Sequence, residues 1–338
     1  MPAQPLIIYH ADCLDGFAAA WAAWHRYQGA ADFLTLHHGE DWDTTRCAGR
    51  EVYVLDFSFP PERLQQMAGL ARQVVQLDHH ASARADWADR PQPLADGNAE
   101  YQSTTPALRV RFAEQQSGAR LAWEHFHPGS PLPLLLQHIK DVDLWRFALP
   151  ESRAIQRSLR LLAFDFPLWS HWITTASTPD TPAYRDLLLR GQAIESFFRR
   201  ETGRLAASSL LTAARLRGEP ADPLQALRHD QPIVSDGVQY WHALPCMAVN
   251  CDGMFASDLG HELASRHRQP ALIWQLAGDG MVRASLRSVG DCNVAVIAQR
   301  YGGGGHCHAA GFRLPAAQFF AEVLPTYPAT PGENSSAD

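Results

Sequence analysis

Acidic and histidine side chains follow directly behind three apolar runs in the N-terminal part of the chain. The runs are residues 6–9, 52–55 and 74–77, and the polar residues behind them are His10, Asp12, Asp15, Asp56, Asp78, His79 and His80. Carboxylates crowded into one place repel one another unless a cation lies between them. The pattern therefore predicts a polynuclear metal site.

Each of these acidic residues also has a simpler interpretation when it is taken alone. Asp12 or Asp15 could cap the helix that follows, and Asp56 could serve the helix that begins near Pro60. Two histidines behind an aspartate could be a solvated strand end, as His37 and His38 could also be. The metal site is favoured because the residues occur together at three strand ends.

The elements that must position these side chains alternate between strand and helix. Strands are predicted at 6–9, 32–38, 52–57 and 74–77, and helices at 16–24 and 60–71, with later helices beginning near 117 and 131. This α/β alternation predicts a parallel sheet covered on both faces. Ligands bind such sheets beyond the carboxyl ends of the strands.

Asp141 and Asp143 come at the end of a predicted helix. A helix C-terminus disfavours carboxylates, which indicates that another partner, such as a cation, stabilises them. One of the two is expected to be structural.

The second half of the chain predicts a smaller α+β domain. A helix at 184–214 leads to a loop at 218–230, followed by a helix at 255–266 that Asp252 could cap, a hairpin of strands 271–276 and 281–286, and a helix at 294–301. The expected domains are a metal-binding catalytic domain at 1–183, a helical linker at 184–217, a substrate-binding domain at 218–327 and a disordered tail at 328–338.

A glycine run ending in a histidine is the remaining specific feature, with Gly303, Gly304, Gly305 and His306 as its candidate ligand-binding residues. Backbone N–H groups of such a run can cradle phosphate oxygens, but the run could also be a hairpin loop or a helix C-cap. Arg283 and Arg287 could bind phosphate or be ordinary exposed arginines.

Composition limits the class of protein. The chain has 338 residues, 46% hydrophobic and 19% charged, with a formal net charge of −7, which indicates a globular protein without a broad surface for duplex nucleic acid. Six cysteines without a CxxC pair indicate reduced thiols. There is no secretory signal and no apolar run of about 20 residues, so a soluble cytoplasmic protein is expected.

These motifs together resemble a DHH-family phosphoesterase with the DHH-associated C-terminal domain. The resemblance rests on His10-x-Asp12-x-x-Asp15-Gly16, Leu55-Asp56, Asp78-His79-His80, Ile139-Lys140-Asp141, and Gly303-Gly304-Gly305-His306 with Ala309-Ala310-Gly311. It implies two divalent ions, usually manganese, held by His10, Asp12, Asp15, Asp56, His79 and Asp141. The first motif departs from the common Asp-x-Asp spacing, because two residues separate Asp12 from Asp15. Which of the two aspartates binds which ion therefore stays open.

The resemblance also implies roles for neighbouring residues. Asp56 would bridge both ions, Asp78 would orient His79, and His80 would face the scissile phosphate. Gly304, Gly305 and His306 would grip the terminal phosphate or sugar.

The functional hypothesis is a metal-dependent phosphodiesterase acting on short single-stranded oligonucleotides or small nucleotides. Oxygen and imidazole ligands suit manganese or magnesium, and two such ions can deprotonate a bridging water for attack at phosphorus. One alternative is a phosphoanhydride hydrolase acting on pyrophosphate or polyphosphate, which the glycine–histidine loop disfavours. Another is a non-catalytic nucleotide-binding protein, which would have lost metal ligands. DNA versus RNA, chain-length preference and oligomeric state stay open.

Overall fold

The structure is a computed structural model that describes residues 3–37, 39–87, 90–223, 232–235, 237 and 239–324. The chain divides into two compact units, Met1–Phe197 and Phe198–Asp338. The division falls inside one long helix. Each unit is described by itself.

A mostly parallel sheet forms the centre of the first unit. Its strands are β1 Leu6–His10, β2 Asp32–Leu36, β3 Glu51–Leu55, β4 Gln73–Asp78, β5 Gln92–Pro93, β6 Ala99–Thr104 and β7 Ala107–Phe112. They are ordered β2-β1-β3-β4-β7-β6-β5, and only the β5–β6 and β6–β7 pairs are antiparallel. The predicted α/β class is confirmed.

Helices cover both faces of this sheet. They are α1 Leu14–Tyr27, α2 Pro61–Leu70, α3 Ala81–Ala85, α4 Gly118–Phe126, α5 Leu134–Asp143, α6 Ser152–Leu159, α7 Phe166–Thr175 and α8 Pro182–Ser208. Successive residues of a strand point to opposite faces, and β1 shows this directly. Ile7 packs with Phe17 of α1, whereas Leu6 and Ile8 pack in a separate cluster with Leu64 of α2.

The β6–β7 hairpin was not predicted from the sequence, and the ends of the second strand and of α8 differ from the predicted ones. Strand β7 buries Leu108, Val110 and Phe112 and leaves the intervening arginines part-exposed. This alternation of apolar and polar residues is typical of a strand and could have predicted β7. The second strand ends at Leu36, and His38 lies outside the described residues. Helix α8 ends at Ser208, short of the predicted 214.

The second unit is an α+β domain around a mixed sheet. Its strands are β8 Thr212–Ala221, β9 Ile233–Ser235, β10 Gln239–Asn250, β11 Ala271–Leu276, β12 Met281–Arg287, β13 Gly304–His306 and β14 Ala309–Pro315. The order is β13-β14-β12-β11-β10-β8 with β9 beside β10, and only β10 and β11 are parallel. Helix α9 Ala256–His267 packs in one apolar cluster, and α10 Val294–Gln299 and α11 Ala316–Glu322 pack in another.

Several predictions for this unit can be compared with the structure. The β11–β12 hairpin forms as expected, and Asp252 caps a short 3-10 turn, Gly253–Phe255, that leads into α9. The predicted linker is not helical throughout, because Thr212–Ala221 is strand β8, which also takes in the start of the predicted loop. Residues 224–230 and 328–338 lie outside the described residues. No helix in the described part of the chain is long and apolar enough to cross a bilayer.

Candidate metal centre

Three neighbouring parallel strands place their final residues side by side. His10 ends β1, Asp56 follows β3, and Asp78 ends β4 immediately before His79. The strand ends are level, because Tyr9 pairs with Leu55 and Leu55 pairs with Leu77. The sheet thus brings the side chains of three distant segments to one edge.

His79 lies at the centre of the cluster. Its Nε2 atom is 3.0 Å from Oδ1 of Asp56, 3.6 Å from Oδ2 of Asp15 and 3.6 Å from Oδ2 of Asp143. Nδ1 of His10 is 3.7 Å from Oδ2 of Asp56. Asp15, Asp56 and His79 are each at most 2% exposed. Five donor side chains therefore converge in a largely buried site.

Asp15 joins two helices as well as facing His79. Its carboxylate accepts hydrogen bonds from the backbone N–H groups of Gly118 and Ala119, the first residues of α4. A helix N-terminus presents free N–H groups and a positive dipole end, which stabilise a carboxylate there. Asp15 of α1 thus caps α4 from outside.

Two glycines allow these helices to approach Asp56 closely. A Cβ on Gly16 would lie 2.6 Å from the carbonyl oxygen of His10 and 3.2 Å from Oδ2 of Asp56. A Cβ on Gly118 would lie 2.7 Å from Oδ1 of Asp56. Neither contact is sterically acceptable without movement, so the position of Asp56 depends on glycine at both places.

The structure places Asp141, an expected ligand, and Asp143 in different surroundings. Asp141 accepts hydrogen bonds from the N–H groups of Ala148 and Leu149 at 2.9 and 3.0 Å and from the Ser152 hydroxyl at 2.7 Å. Its carboxylate is therefore engaged by the turn that follows α5. Asp143, one helical half-turn further on, faces His79 instead.

Asp12 is not brought into the cluster either. Its side chain is 85% exposed, and its Oδ2 lies 3.6 Å from Nε2 of His37. The backbone of Asp12 takes a left-handed conformation, with φ 53°, which turns the chain between β1 and α1. Of the two aspartates in the first motif, the structure places only Asp15 at the site.

Asp78 and His80, the residues on either side of His79 in the chain, form a hydrogen-bonded pair beside the cluster. Oδ1 of Asp78 is 2.7 Å from Nδ1 of His80, and the Ser58 hydroxyl donates to Oδ2 of Asp78. Gln76 in turn donates to the Ser58 oxygen at 3.0 Å. The resemblance implied that Asp78 orients His79, and the structure shows a hydrogen bond between Asp78 and His80.

Burial and charge shift the pKa values of Asp78 and His80 in opposite directions, and both shifts favour the charged form. Burial acts to raise the pKa of Asp78, but His80 and the Ser58 hydroxyl hold it well below its usual range. Burial acts to lower the pKa of His80, but the adjacent Asp78 carboxylate raises it overall. An ionised Asp78 therefore supports a protonated His80.

The inner carboxylates show the repulsion expected of a cation site. Burial and then repulsion by Asp143 and Asp56 raise the pKa of Asp15 well above its usual range. Burial also raises the pKa of Asp143, although His79 opposes this. For Asp56, burial acts in the same direction, but hydrogen bonds from His10 and His79 hold its pKa well below normal. Despite burial, the three carboxylates raise the pKa of His79 well above normal.

The donor set fits a divalent cation. Oδ2 of Asp143 is buried and accepts no hydrogen bond from any residue that the structure describes. Carboxylate oxygens with imidazole nitrogens are the ligands that manganese and magnesium accept. His10, Asp15, Asp56, His79 and Asp143 lie close enough together that they could hold such an ion.

Three further residues at the site were not assigned from the sequence. Cys13 offers its sulfur within 4.8 Å of donor atoms of His10 and Asp56. Burial and the nearby carboxylates raise the pKa of the Cys13 thiol well above normal, which keeps it protonated without a bound cation. The position of Cys13 between Asp12 and Asp15 in the first motif could have indicated that it lies at the site. Gly118 and Ala119 gave no signal beyond that of an ordinary helix start.

In the second unit the glycine run has a clear structural role. Gly303 donates to the Ala298 carbonyl shortly after α10 ends at Gln299, and Gly304–His306 forms β13, which pairs with β14. A Cβ on Gly303 would lie 2.8 Å from Cα of Phe312, and one on Gly305 would lie 2.6 Å from the Ala309 carbonyl oxygen. The glycines are therefore needed for close packing of two backbones, whether or not they also bind phosphate.

The two arginines of β12 differ in their surroundings. Arg283 is exposed. Arg287 is part-buried and donates to the Leu286 carbonyl and the Ser257 hydroxyl, each at 2.8 Å. Burial lowers the pKa of Arg287 to about 10. Of the two arginines, Arg283 is the one whose charged group lies on the surface of the unit.

Comparison with known proteins gives one family match and several distant likenesses. Residues 252–327 match the family described as the DHHA1 domain. An uncharacterized protein of Acanthamoeba polyphaga mimivirus is 24% identical over 327 residues, which span 90% of this chain and 66% of the viral protein.

Among solved structures, RecJ in complex with Mn²⁺ from Thermus thermophilus has a TM-score of 0.44 and 14% identity, covering 95% of this chain and 51% of RecJ. The pGpG-specific phosphodiesterase PggH from Vibrio cholerae has a TM-score of 0.40 and 11% identity, covering 93% of this chain and 94% of PggH.

Proposed function

We propose that this chain, which carries a DHHA1 domain and resembles the DHH-family phosphoesterases, is a divalent-metal-dependent phosphodiesterase. The observation that supports this most directly is the position of His79 Nε2, within 3.6 Å of oxygens from Asp15, Asp56 and Asp143. Three carboxylates around one imidazole, two of them buried and that of Asp143 21% exposed, are stable together when a cation neutralises them.

His10, Asp15, Asp56, His79 and Asp143 are proposed to hold two divalent ions, manganese or alternatively magnesium. Such ions, when bound, supply Lewis-acid stabilisation of phosphoryl oxygens and lower the pKa of water. The chain itself fixes the ligands: Asp15 is held by the α4 N-terminus, and Asp56 is enclosed by Gly16 and Gly118.

His80 is proposed to act on the leaving group. Burial acts to lower its pKa, but the Asp78 carboxylate raises it overall, which favours the protonated form that can donate a proton to a departing oxygen. Asp78 keeps Nδ1 of His80 engaged at 2.7 Å, which leaves Nε2 as the catalytic nitrogen. Ser58 and Gln76 hold Asp78 in place.

The proposed substrate is a short single-stranded oligonucleotide or a small nucleotide. The formal net charge of −7 argues against a long duplex, whose binding needs many Lys and Arg contacts to phosphate. We assign metal binding and catalysis to the N-terminal domain, expected at 1–183. Contacts to the terminal phosphate or sugar are assigned to the C-terminal domain, expected at 218–327, with Arg283, Gly304, Gly305 and His306 as candidates.

The test is a hydrolysis panel with manganese. The substrates are a labelled five-nucleotide single strand, a dinucleotide, pyrophosphate and polyphosphate. We expect mononucleotides from the first two and no phosphate from the last two. Phosphate release without mononucleotide release would instead establish a phosphoanhydride hydrolase, and nucleotide binding without any hydrolysis would establish a binding protein.

Two aspartate variants test the assignment of the site. Asp56→Asn should abolish manganese-dependent hydrolysis, because it removes a carboxylate oxygen from the centre of the cluster. Asp12→Asn is the matched control, since Asp12 belongs to the same motif but is 85% exposed, and it should keep wild-type activity. Equal loss in both variants would contradict the assignment.

A further inference from the structure

The turn after α5 has an unusual backbone. Trp145 and Phe147 both take left-handed conformations, with φ 54° and 49°. Bulky residues rarely adopt this region, because it strains the backbone. Such strain persists only where surrounding contacts impose it, and it is concentrated at functional sites.

Asp141 supplies those contacts. Its carboxylate accepts the N–H groups of Ala148 and Leu149 and the hydroxyl of Ser152, and its backbone carbonyl accepts the N–H of Arg146 at 2.9 Å. The turn is thus held in place by the aspartate that does not face the metal centre.

A second set of contacts ties the turn to the segment before α4. Arg146 donates to the backbone carbonyl and to the side-chain Oε1 of Gln115, at 3.1 and 2.7 Å. That segment leads directly to Gly118, which lies against Asp56. Both anchors of the turn therefore belong to the framework of the metal centre.

The turn displays two aromatic rings and a cation. The Trp145 and Phe147 rings are 4.8 Å apart and nearly perpendicular, at 75°. Cζ of Arg153 lies 3.6 Å from the centre of the Phe147 ring and 5.3 Å from that of Trp145. All three side chains are partly exposed. Trp145 is two residues from Asp143, a separation of at most about 7 Å along the chain.

We propose that Trp145, Phe147 and Arg153 form a nucleotide-recognition surface beside the metal centre. Trp145 stacks on a nucleobase, and Arg153, held over the Phe147 ring by a cation–π contact, binds a phosphate oxygen. Aromatic rings bind bases through their faces, and a guanidinium matches phosphate geometry. This proposal rests on the proposed function and adds which part of the chain recognises the base.

Equilibrium binding of two ligands in the presence of manganese tests the surface. The ligands are adenosine 5′-monophosphate and ribose 5-phosphate, which differ only by the base. We expect the wild-type protein to bind the nucleotide at least about tenfold more tightly, in keeping with the effect of one base–aromatic stack. Trp145→Ala should remove this difference and leave the affinity for ribose 5-phosphate unchanged.

Further variants separate stacking from loss of structure. Trp145→Phe keeps an aromatic face and should restore most of the preference, whereas Arg153→Ala should weaken both ligands equally. Phe164→Ala is the aromatic control, because Phe164 is 44% exposed in the same unit but stacks on Phe17 of α1. Manganese affinity measured on each variant shows whether Asp143 has stayed in place.

The outcomes distinguish this inference from the proposed function. A preference for the nucleotide that survives Trp145→Ala, or no preference in the wild type, overturns the stacking surface even if the protein hydrolyses nucleotides. Absence of hydrolysis with the binding pattern intact would overturn the phosphodiesterase and leave the surface standing.

Discussion

Replacing Gly118 by alanine is the most direct test of how the centre is built. The added Cβ would lie 2.4 Å from Cβ and 2.7 Å from Oδ1 of Asp56, whereas ordinary contacts begin near 3.4 Å. Either α4 or the Asp56 side chain must therefore move by about 1.0 Å, the difference between 3.4 and 2.4 Å. Metal–ligand distances tolerate only about 0.2 Å, so a displacement of this size disrupts coordination.

Two effects of Gly118→Ala on the free energy of unfolding oppose each other. Alanine in place of glycine stabilises a helix by about 0.5–1 kcal/mol when there is space. Overpacking a filled site costs about 1–3 kcal/mol, so we expect a net loss of free energy of unfolding in Gly118→Ala. The affinity for manganese should fall by about tenfold or more, as when the support of a ligand is removed.

Titration calorimetry with manganese and thermal unfolding with and without the ion measure both effects. Gly69→Ala is the matched control, because Gly69 lies in α2 and an added Cβ there meets nothing within 4 Å. That variant should keep wild-type affinity and unfold at an equal or higher temperature. If Gly118→Ala behaves like Gly69→Ala in both measurements, the enclosure of Asp56 by α4 is not what positions the ligand.

Three further predictions concern the acidic residues. Asp143→Asn should lower manganese affinity by at least about tenfold, because Asp143 faces His79. Asp141→Asn should mainly lower the free energy of unfolding, by about 1–3 kcal/mol, because it leaves the backbone donors of Ala148 and Leu149 facing an amide group. Calorimetry should therefore show the larger loss of manganese affinity in Asp143→Asn, and denaturant unfolding the larger loss of stability in Asp141→Asn. Saturating manganese at a hundred times its Kd should stabilise the wild type by about 2.7 kcal/mol and raise its Tm, and a chelator should reverse the shift. Burial raises the folded-state pKa of Asp143, so its destabilising effect grows as pH rises from about 4 through that raised pKa. Without metal, Asp143→Asn should therefore raise Tm more at pH 8 than at pH 4, and an equal shift at both would count against a strained carboxylate.

The strand-end residues could be predicted because a buried parallel strand has little tolerance for polar side chains. In β1, β3 and β4 the strand is largely apolar, with Gln76 of β4 as a buried exception, and His10, Asp56 and His79 come at or just after the strand ends. Parallel pairing then brings the ends together without further information. The pattern was therefore enough to predict that these strand ends lie side by side.

The choice between Asp141 and Asp143 could not be made in the same way. Two positions apart on a helix, their side chains point about 200° away from each other, so one must face away from the cluster. Which one does so depends on the rotation of α5 about its axis. That rotation is set by the packing of Leu136 and Ile139 and by the strained turn, which no local pattern reveals.

Close approaches between backbones were also invisible in the sequence. Gly118 reads as an ordinary residue after the N-cap Ser117, and only the position of Asp56 shows why a side chain is not tolerated there. The same holds for Gly303 and Gly305, whose run suggested ligand binding and whose immediate role is to let β13 lie against β14.

The division of the chain within α8 has a practical consequence for protein dissection. Phe197 and Phe198 are consecutive residues of one helix that runs from Pro182 to Ser208. Cutting there would leave two frayed helical stubs with unsatisfied carbonyl and amide groups. A recombinant N-terminal fragment should therefore extend through Ser208, and proteolytic trimming at the midpoint of the helix is expected to be slow.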